Sequence, residues 1–369
     1  MALSNPPTAD PCLLIVITYN QLSFTQRCIE SIQRRTQYPY RLLVIDNGSD
    51  DKMIQYLQNL QRKDDRVFVI FNKQNLGWIG AVNQGLTYGE FPYYCVMNND
   101  LVVYPGWLEE MVKVAESDKM IGLVNPEWNL GKGYAQDHRA FYHGVVKRRK
   151  EDWIETDYVR GFCFLIKRDV VEKVGGLDPL YGNGYYEDWD YSMRAIQVGF
   201  RCARALKAFV YHHMNVTFKS VVAQQQYQEN FQKNEKIFYK RWGRPLRILL
   251  VWDDHFQREC PHAKELIQQL LRQQNRLYVF SPSPASIRHT NCVWRRIPKW
   301  LLTLSVNAAL FNSLRFSAKK RYHLILCSRP MVEHLNKGWI KSHFIRCSST
   351  EVENNILKEK MEKLRHANV

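Results

Sequence analysis

Leu13-Leu14-Ile15-Val16-Ile17 is an unbroken β-rich apolar run. A run of that kind is a stable strand only where both of its faces are covered. It does not stand alone. Arg41 to Asp46, Val67 to Phe71 and Tyr93 to Met97 repeat it, with amphipathic stretches between them. Phe24, Cys28 and Ile32 recur every four residues behind Ser23, which is placed to cap a helix. Lys52 to Leu60 and Gly80 to Thr87 read as two more helices. Alternating strand and helix predicts an α/β fold: a Rossmann-like, mostly parallel sheet with helices on both faces. Such sheets bind ligands beyond the carboxyl ends of their strands, so the residues after each run matter most.

Those residues are polar. Thr18-Tyr19-Asn20 follows the first strand, Asp46-Asn47-Gly48-Ser49-Asp50-Asp51 the second and Asn98-Asn99-Asp100 the fourth. Turn chemistry alone explains any one of them. Three on one edge of one sheet point to a ligand-binding edge. Between the third and fourth strands, the glycines of Asn75 to Leu86 allow close backbone approach, and the following helix offers its amino end to an anion. The stretch lacks the Lys and Ser/Thr of a Walker loop, which argues against an ATPase.

A second cluster lies downstream. Gly175-Gly176-Leu177-Asp178-Pro179 leads into Tyr185-Tyr186-Glu187-Asp188-Trp189-Asp190-Tyr191-Ser192-Met193-Arg194. Glu187, Asp188 and Asp190 fall in the first turn of a helix, where acids stabilise the terminus for dipole reasons alone. The sharper reading joins them to the aromatic Tyr186 and Trp189 as an acceptor site with a general base. Ala208 to Tyr211 reads as a strand ending in His212-His213. Together with Asp100, that pair supplies candidate metal ligands, and the sequence does not choose between the two histidines.

The 369 residues suffice for two domains, each with its own core. Arg244-Pro245 marks the expected boundary, giving domains 1–243 and 244–369. Beyond it, Leu246 to Val251, Arg276 to Phe280, His323 to Cys327 and His343 to Cys347 read as strands, with Pro261 to Leu271 a helix. This predicts a smaller Rossmann-like α/β accessory or docking domain. Asp253-Asp254-His255 after its first strand offers a candidate site, but a plain strand-end turn is the better reading. Net charge is +16, of which +12 falls after residue 244. That surplus suits an anionic membrane surface or a diphosphate-bearing acceptor as well as it suits nucleic acid. With no zinc-finger spacing, RNP-type motif or dense basic run, nucleic acid is disfavoured. Nine scattered cysteines without a CxxC pair fit a reducing cytosol. The polar first ten residues do not read as a secretory leader, and the apolar stretch Trp300 to Phe311 is too short to span a bilayer. The expected location is the cytoplasm. Arg295, Arg296, Lys299, Lys319, Lys320 and Arg321 bracket Trp300 to Phe311 and suggest a helix lying on the inner face of the plasma membrane, against the plainer reading of a core helix.

From about Pro11 to Arg241 the chain resembles the family 2 inverting glycosyltransferases of the GT-A fold. The resemblance rests on Ile17-Thr18-Tyr19-Asn20, Asp46-Asn47-Gly48-Ser49, Asn75 to Leu86, Asn98-Asn99-Asp100 and Glu187-Asp188-Trp189-Asp190, in the family's order. The chain looks most like bacterial members that build surface polysaccharide, among them rhamnosyltransferase-like enzymes. The resemblance implies that Thr18, Tyr19 and Asn20 line the nucleotide pocket and that Asp46 bonds the base. Gly77 and Asn83 would lie beside ribose and diphosphate, with Asn98 and Asn99 in the donor site. Asp100 stands at the last position of the family's Asp-x-Asp and would hold Mn²⁺ or Mg²⁺, completed by His212 or His213. Asp188, or failing that Glu187, would be the base, with Tyr186, Trp189 and Asp190 around the acceptor. The donor would be a UDP- or dTDP-sugar and the acceptor a saccharide or lipid-linked saccharide, in cell-surface polysaccharide synthesis. Residues 244–369 weakly resemble the amino-terminal half of a GT-B glycosyltransferase. The competing readings are a sugar nucleotidyltransferase and a catalytically inactive sugar- or lipid-binding scaffold.

Overall fold

The computed structural model describes residues 11–128, 138–213, 221–260, 262–315, 322–327, 344–346, 359 and 361–366. The chain divides into two compact units, residues 1–235 and 236–369.

In the first unit the order is β1 (Cys12–Thr18), α1 (Leu22–Arg35), β2 (Tyr40–Asp46), α2 (Asp51–Lys63), β3 (Val67–Phe71), α3 (Gly77–Leu86), β4 (Tyr93–Asn98), β5 (Leu101–Val103) and α4 (Trp107–Glu116). There follow β6 (Ile121–Trp128), α5 (His138–Gly144), β7 (Trp153–Thr156), β8 (Cys163–Lys167), α6 (Arg168–Val174), α7 (Glu187–Gln197), β9 (Arg201–His212) and α8 (Val221–Trp242), whose last turns enter the second unit. The strands form one sheet in the order β3-β2-β1-β4-β8-β6-β9-β5, with β7 on β9. The first four are parallel, β8 runs antiparallel to β4 and β6, and β5 and β7 run antiparallel to β9. The α/β expectation therefore holds, with antiparallel strands that the first hundred residues do not announce.

The apolar runs are strands because both faces are used. Leu14, Val16, Leu42, Val44 and Met97 share a core with Cys28, Ile29 and Ile32 of α1, Met53 and Leu57 of α2, and Trp107 and Met111 of α4. On the other face α3 approaches so closely that a Cβ at Gly85 would lie 2.5 Å from Ile15 Cγ2. One local expectation fails. Ser23 lies inside α1 and does not cap it; Gln21 occupies the cap in the left-handed region without a side-chain bond.

The second unit holds β10 (Arg247–Val251), α9 (Asp254–Glu259), α10 (Ala263–Arg272), β11 (Arg276–Ser281), β12 (Cys292–Arg296), α11 (Leu302–Arg315), β13 (Leu324–Cys327) and β14 (Phe344–Arg346). Its strands form an all-parallel sheet ordered β12-β11-β10-β13-β14, the smaller α/β sheet expected of this region. Phe256 of α9 and Ile267 and Leu271 of α10 cover one face, Leu302 and Val306 of α11 the other. The stretch from Trp300 is thus partly a core helix. Its other side carries Trp300, 81% exposed, and Leu304, 65% exposed, near the exposed Arg295, Arg296 and Lys299. Asp253 caps α9 by accepting from the Phe256 N–H at 2.7 Å, and Asp254 and His255 open that helix rather than forming the plain turn expected, a short helix that the sequence reading did not place. Lys319, Lys320 and Arg321 lie outside the described residues.

Candidate functional site

Register brings the polar strand ends together. Thr18 pairs with Asp46 across β1 and β2, and Ile17 with Asn98 across β1 and β4. The loops beyond are stitched: the Asn20 N–H donates to Ser49 Oγ at 2.7 Å, and the Asp50 N–H donates to Asn20 Oδ1 at 3.0 Å. Asn20 and Gln21 pay for this junction with left-handed backbone, which asparagine tolerates better than most residues. Asp46 is 1% exposed; its Oδ2 accepts from the Ser49 N–H, while Oδ1 is a buried acceptor with no hydrogen-bond partner. Tyr19, by contrast, stands on the rim, 47% exposed.

Several predicted donor-site residues work on the scaffold. Asn99 Nδ2 donates to Thr25 Oγ1 at 2.9 Å and to Thr18 Oγ1 at 3.3 Å, which ties the β4 turn to α1 and uses Thr18 as well. Asn98 is bound through its main chain, donating N–H to the Phe162 carbonyl. Asn83 donates to the Leu177 carbonyl at 2.9 Å and accepts from the Leu177 N–H at 2.7 Å, so its amide fastens α3 to the loop before α7. Gly77 opens α3 with φ 72°, and its carbonyl accepts from Asn47 Nδ2.

The antiparallel pairing of β5 with β9 sets Leu101 opposite His212 and so carries Asp100 to the histidines. Asp100 Oδ1 lies 3.2 Å from His212 Nε2 without the alignment of a hydrogen bond, and it remains a buried acceptor with no such partner. His213 donates its backbone N–H to the Asp100 carbonyl, and its ring packs edge-on against Phe24 and Tyr211. A hard oxygen beside an imidazole nitrogen fits Mn²⁺ or Mg²⁺. Among the described residues, no three His, Cys, Asp or Glu side chains converge as a ligand group. An ion held here would need most of its ligands from outside the protein, as Mg²⁺ and Mn²⁺ commonly take them from phosphates and water.

The second cluster meets this edge through residues that the sequence did not single out. Phe162 stacks on the His212 ring at 4.9 Å, and the N–H of neighbouring Gly161 donates to Asp188 Oδ2 at 2.8 Å. The Trp189 N–H donates to Asp188 Oδ1 at 2.9 Å. Asn125 clamps both sides of the Arg160 peptide, accepting from its N–H at 2.7 Å and donating to its carbonyl at 3.1 Å. Glu187 is buried, and its Oε2 has no hydrogen-bond partner. Burial, then the charge of Asp188, raises its pKa from the ordinary 4.5 to about 8, against the pull of nearby backbone N–H groups and the Trp78 indole. Burial raises Asp188 as well; its backbone donors and the Arg160 guanidinium oppose the shift. Two adjacent carboxyls thus sit in unequal surroundings: Glu187, raised to about 8, holds a proton near neutral pH, while Asp188, also raised, keeps two backbone N–H donors and a nearby guanidinium that favour its charged form.

Around the pair, Tyr158 packs on Trp189 at 4.3 Å, Tyr186 meets Trp189 at 5.0 Å, and Arg160 lies over Tyr158 and Trp128. Asp190 does not join this surface. It is 0% exposed, and its oxygens take Arg194 Nε at 2.8 Å and the Tyr181 hydroxyl at 3.2 Å. That carboxylate fastens α7 to the preceding loop, through an Arg194 whose other donors reach the Val174 and Gly176 carbonyls. The acceptor role expected of Asp190 is therefore corrected. Trp78, Asn125, Arg160, Gly161 and Phe162 were missed because their partners are distant in sequence; of these, only Trp78 lies inside a stretch with a readable pattern.

Residues 13–175 match the model for Glycosyl transferase family 2. An uncharacterized glycosyltransferase of Haemophilus influenzae is 32% identical over 173 residues, covering 46% of this chain and 49% of that one. The putative glycosyltransferase EpsH of Bacillus subtilis is 26% identical over 234 residues, 62% of this chain and 66% of that one. The Campylobacter jejuni GalNAc(5)-diNAcBac-PP-undecaprenol beta-1,3-glucosyltransferase is 26% identical over 180 residues, 46% and 56% of the two chains. The matched stretch thus spans about half to two-thirds of these relatives. Among solved structures, the mannosyltransferase PcManGT from Pyrobaculum calidifontis, in complex with GDP-Man and Mn²⁺, is similar with a TM-score of 0.47 and 17% identity, over 63% of this chain and 68% of that one.

Proposed function

We propose, on the premise that residues 13–175 of this chain form a Glycosyl transferase family 2 domain, that the protein transfers a sugar from a nucleotide-sugar donor to a saccharide or lipid-linked saccharide with inversion. The observation that carries this reading is the Gly161-Phe162 link. It sets the carboxyl pair of Glu187 and Asp188 and the Asp100–His212 pair at the same edge of the sheet. Asp46 Oδ1, buried and without a hydrogen-bond partner, suits an N–H on the donor base. Thr18, Asn20, Asn83, Asn98 and Asn99 shape this donor pocket from the scaffold, with Tyr19 at its rim and the amino end of α3 at Gly77 toward the diphosphate.

The chemistry divides among these groups. Asp188 accepts the proton of the acceptor hydroxyl as that oxygen bonds the anomeric carbon. The bond from that carbon to the diphosphate breaks on the opposite face, so the centre inverts. Mn²⁺ or Mg²⁺ held by Asp100 and His212 would supply neutralisation of the charge on the leaving diphosphate. Glu187, protonated, adds no second negative charge there. Trp189 and Tyr158 offer apolar ring faces to the acceptor sugar, while Tyr186, expected there too, is buried against Trp189 and Phe231 and supports them. Residues 244–369 are proposed as a docking domain, with Trp300 and Leu304 and the nearby cations meeting an anionic membrane that bears a lipid-linked acceptor.

The test uses the full chain with UDP-, dTDP- and GDP-sugars, with and without Mn²⁺. The reading predicts metal-dependent protection against heat by one class of nucleotide sugar, since a ligand of the native state raises its stability. It also predicts release of nucleoside diphosphate. Pyrophosphate formation from a nucleoside triphosphate would instead indicate the nucleotidyltransferase, and binding without any turnover the scaffold.

A further inference from the structure

Tyr185 and Tyr186 immediately precede the carboxyl pair, with φ angles of 72° and 71°. Both lie in the left-handed region, where two successive tyrosines are strained, and Gly182 and Gly184 before them also have positive φ. Strained backbone persists only where its surroundings over-determine it, and it concentrates at functional sites. The surroundings here are one face of α8. The buried Asn234 Nδ2 lies within hydrogen-bond distance of the carbonyls of Tyr181 at 2.8 Å, Gly184 at 2.7 Å and Tyr185 at 3.1 Å. Phe231, one helical turn earlier, packs against both tyrosine rings, and Glu235 accepts from the Tyr186 hydroxyl at 3.4 Å. Residues 231, 234 and 235 share a helix face at i, i+3 and i+4 spacing, so α8 braces the whole bend.

We infer that Asn234 is a positioning residue for the Glu187–Asp188 pair, its amide holding the bend so that α7 begins with both carboxyls turned toward Gly161. Asn234 touches neither carboxyl and lies 46 residues beyond Asp188 in sequence. Its action runs through three carbonyls on the chain that leads into the pair. A side chain without the amide removes the donor that these three carbonyls share, and at Tyr181 leaves the turn bond from the Gly184 N–H to hold the bend alone from that side. The bend then relaxes toward ordinary backbone and the first turn of α7 moves with it. The proposal rests on the acid–base reading of that pair, so its test includes a readout independent of turnover.

The variants are Asn234→Ala and Asn234→Asp, the second keeping size but losing the amide donors, with the exposed Lys233→Ala on the same helix as control. In each, kcat and KM for hydrolysis of a nucleotide sugar with Mn²⁺ are measured per folded protein. Hydrogen exchange is followed in peptides covering residues 181–190. The expected result is a fall in kcat of at least about tenfold with donor KM changed less than about twofold, the signature of a lost transition-state interaction. Exchange should quicken at 181–190 and not in β1, β2 or β4, and the acid limb of kcat should move. Lys233→Ala should match the wild type. Unchanged kcat per folded protein, or exchange quickened equally throughout the sheet, would overturn the inference. If the wild type hydrolyses no nucleotide sugar, the proposed function fails instead. The exchange data alone then decide for Asn234, and unchanged exchange at 181–190 overturns it.

Discussion

Glu187 and Asp188 share a helix turn but not an environment, and the division of labour proposed for them rests on that difference. Asp188 has two backbone N–H donors and a nearby guanidinium; Glu187 has an oxygen with no hydrogen-bond partner in a buried site. Asp188→Asn should lower transfer by about 10²- to 10⁴-fold, the usual cost of a lost base, while nucleotide binding survives; near-normal turnover would move the role to Glu187. Because Asp188 is raised, transfer should fall on acidification at a pH above the ordinary carboxylate range. Glu187 makes a separate, stability-level prediction. Its folded pKa of about 8 exceeds its ordinary 4.5, so between those values the folded chain keeps a proton that the unfolded chain releases. Stability from this group is full below pH 4.5 and is lost as pH rises through 8. Glu187→Gln removes that loss, so its Tm relative to the wild type should rise between pH 5 and pH 8. An equal difference at both pH values would contradict the shift.

At the level of elements, the sheet edge was legible and the bracing was not. Thr18, Asp46 and Asn98 could be read because a buried run followed by polar residues is a local signal, and parallel register then aligns the ends without further information. The α7 start was legible from three acids in one turn. Asp190 looked equivalent to its neighbours in the sequence; only the fold gives it Arg194 and removes it from the surface. Gly161, Asn125 and Asn234 act through main-chain bonds across 27, 35 and about 50 residues, a separation at which composition and spacing carry nothing. The Ser23 expectation failed because the stitched loop drives Gln21 into the cap position. The α3 anchor gives a prediction at this scale. A Cβ on Gly176 would lie 2.4 Å from Asn83 Oδ1, whose amide is held by two bonds to Leu177. Gly176→Ala should therefore destabilise by roughly 1–3 kcal/mol, the usual cost of overpacking. A thermal melt with unchanged Tm would show that the anchor gives way freely.

Across the whole molecule, charge and exposure separate the two halves of the sequence. The residues after 244 carry +12 of the net +16, and among the described residues no helix is long and apolar enough to cross a membrane. Helix α11 spends Leu302 and Val306 on its own core, so the expectation of a helix lying free in the interface is narrowed to Trp300, Leu304 and their flanking cations. One of those cations, Lys299, is paired with Asp254 at 3.0 Å, which lessens its contribution. Cosedimentation with anionic vesicles should be seen at low salt and lost at high salt, each basic residue near the surface adding about 1 kcal/mol. Trp300→Ala with Leu304→Ser should weaken it without changing Tm, since both side chains are exposed. Binding that ignores lipid charge, or that survives the double change intact, would contradict the docking surface.

The claim on which the rest depends is that Asp100 and His212 serve a nucleotide-sugar leaving group at the same edge where Asp188 acts. Its most direct measurement is the rate of nucleoside diphosphate release from the preferred nucleotide sugar, titrated with Mn²⁺, in wild type and in Asp100→Ala. The account predicts release that saturates with Mn²⁺ in the wild type. In the variant it predicts release reduced at least about a hundredfold and no longer responsive to the metal. Equal release from both proteins, or release from the wild type indifferent to divalent cations, would contradict it.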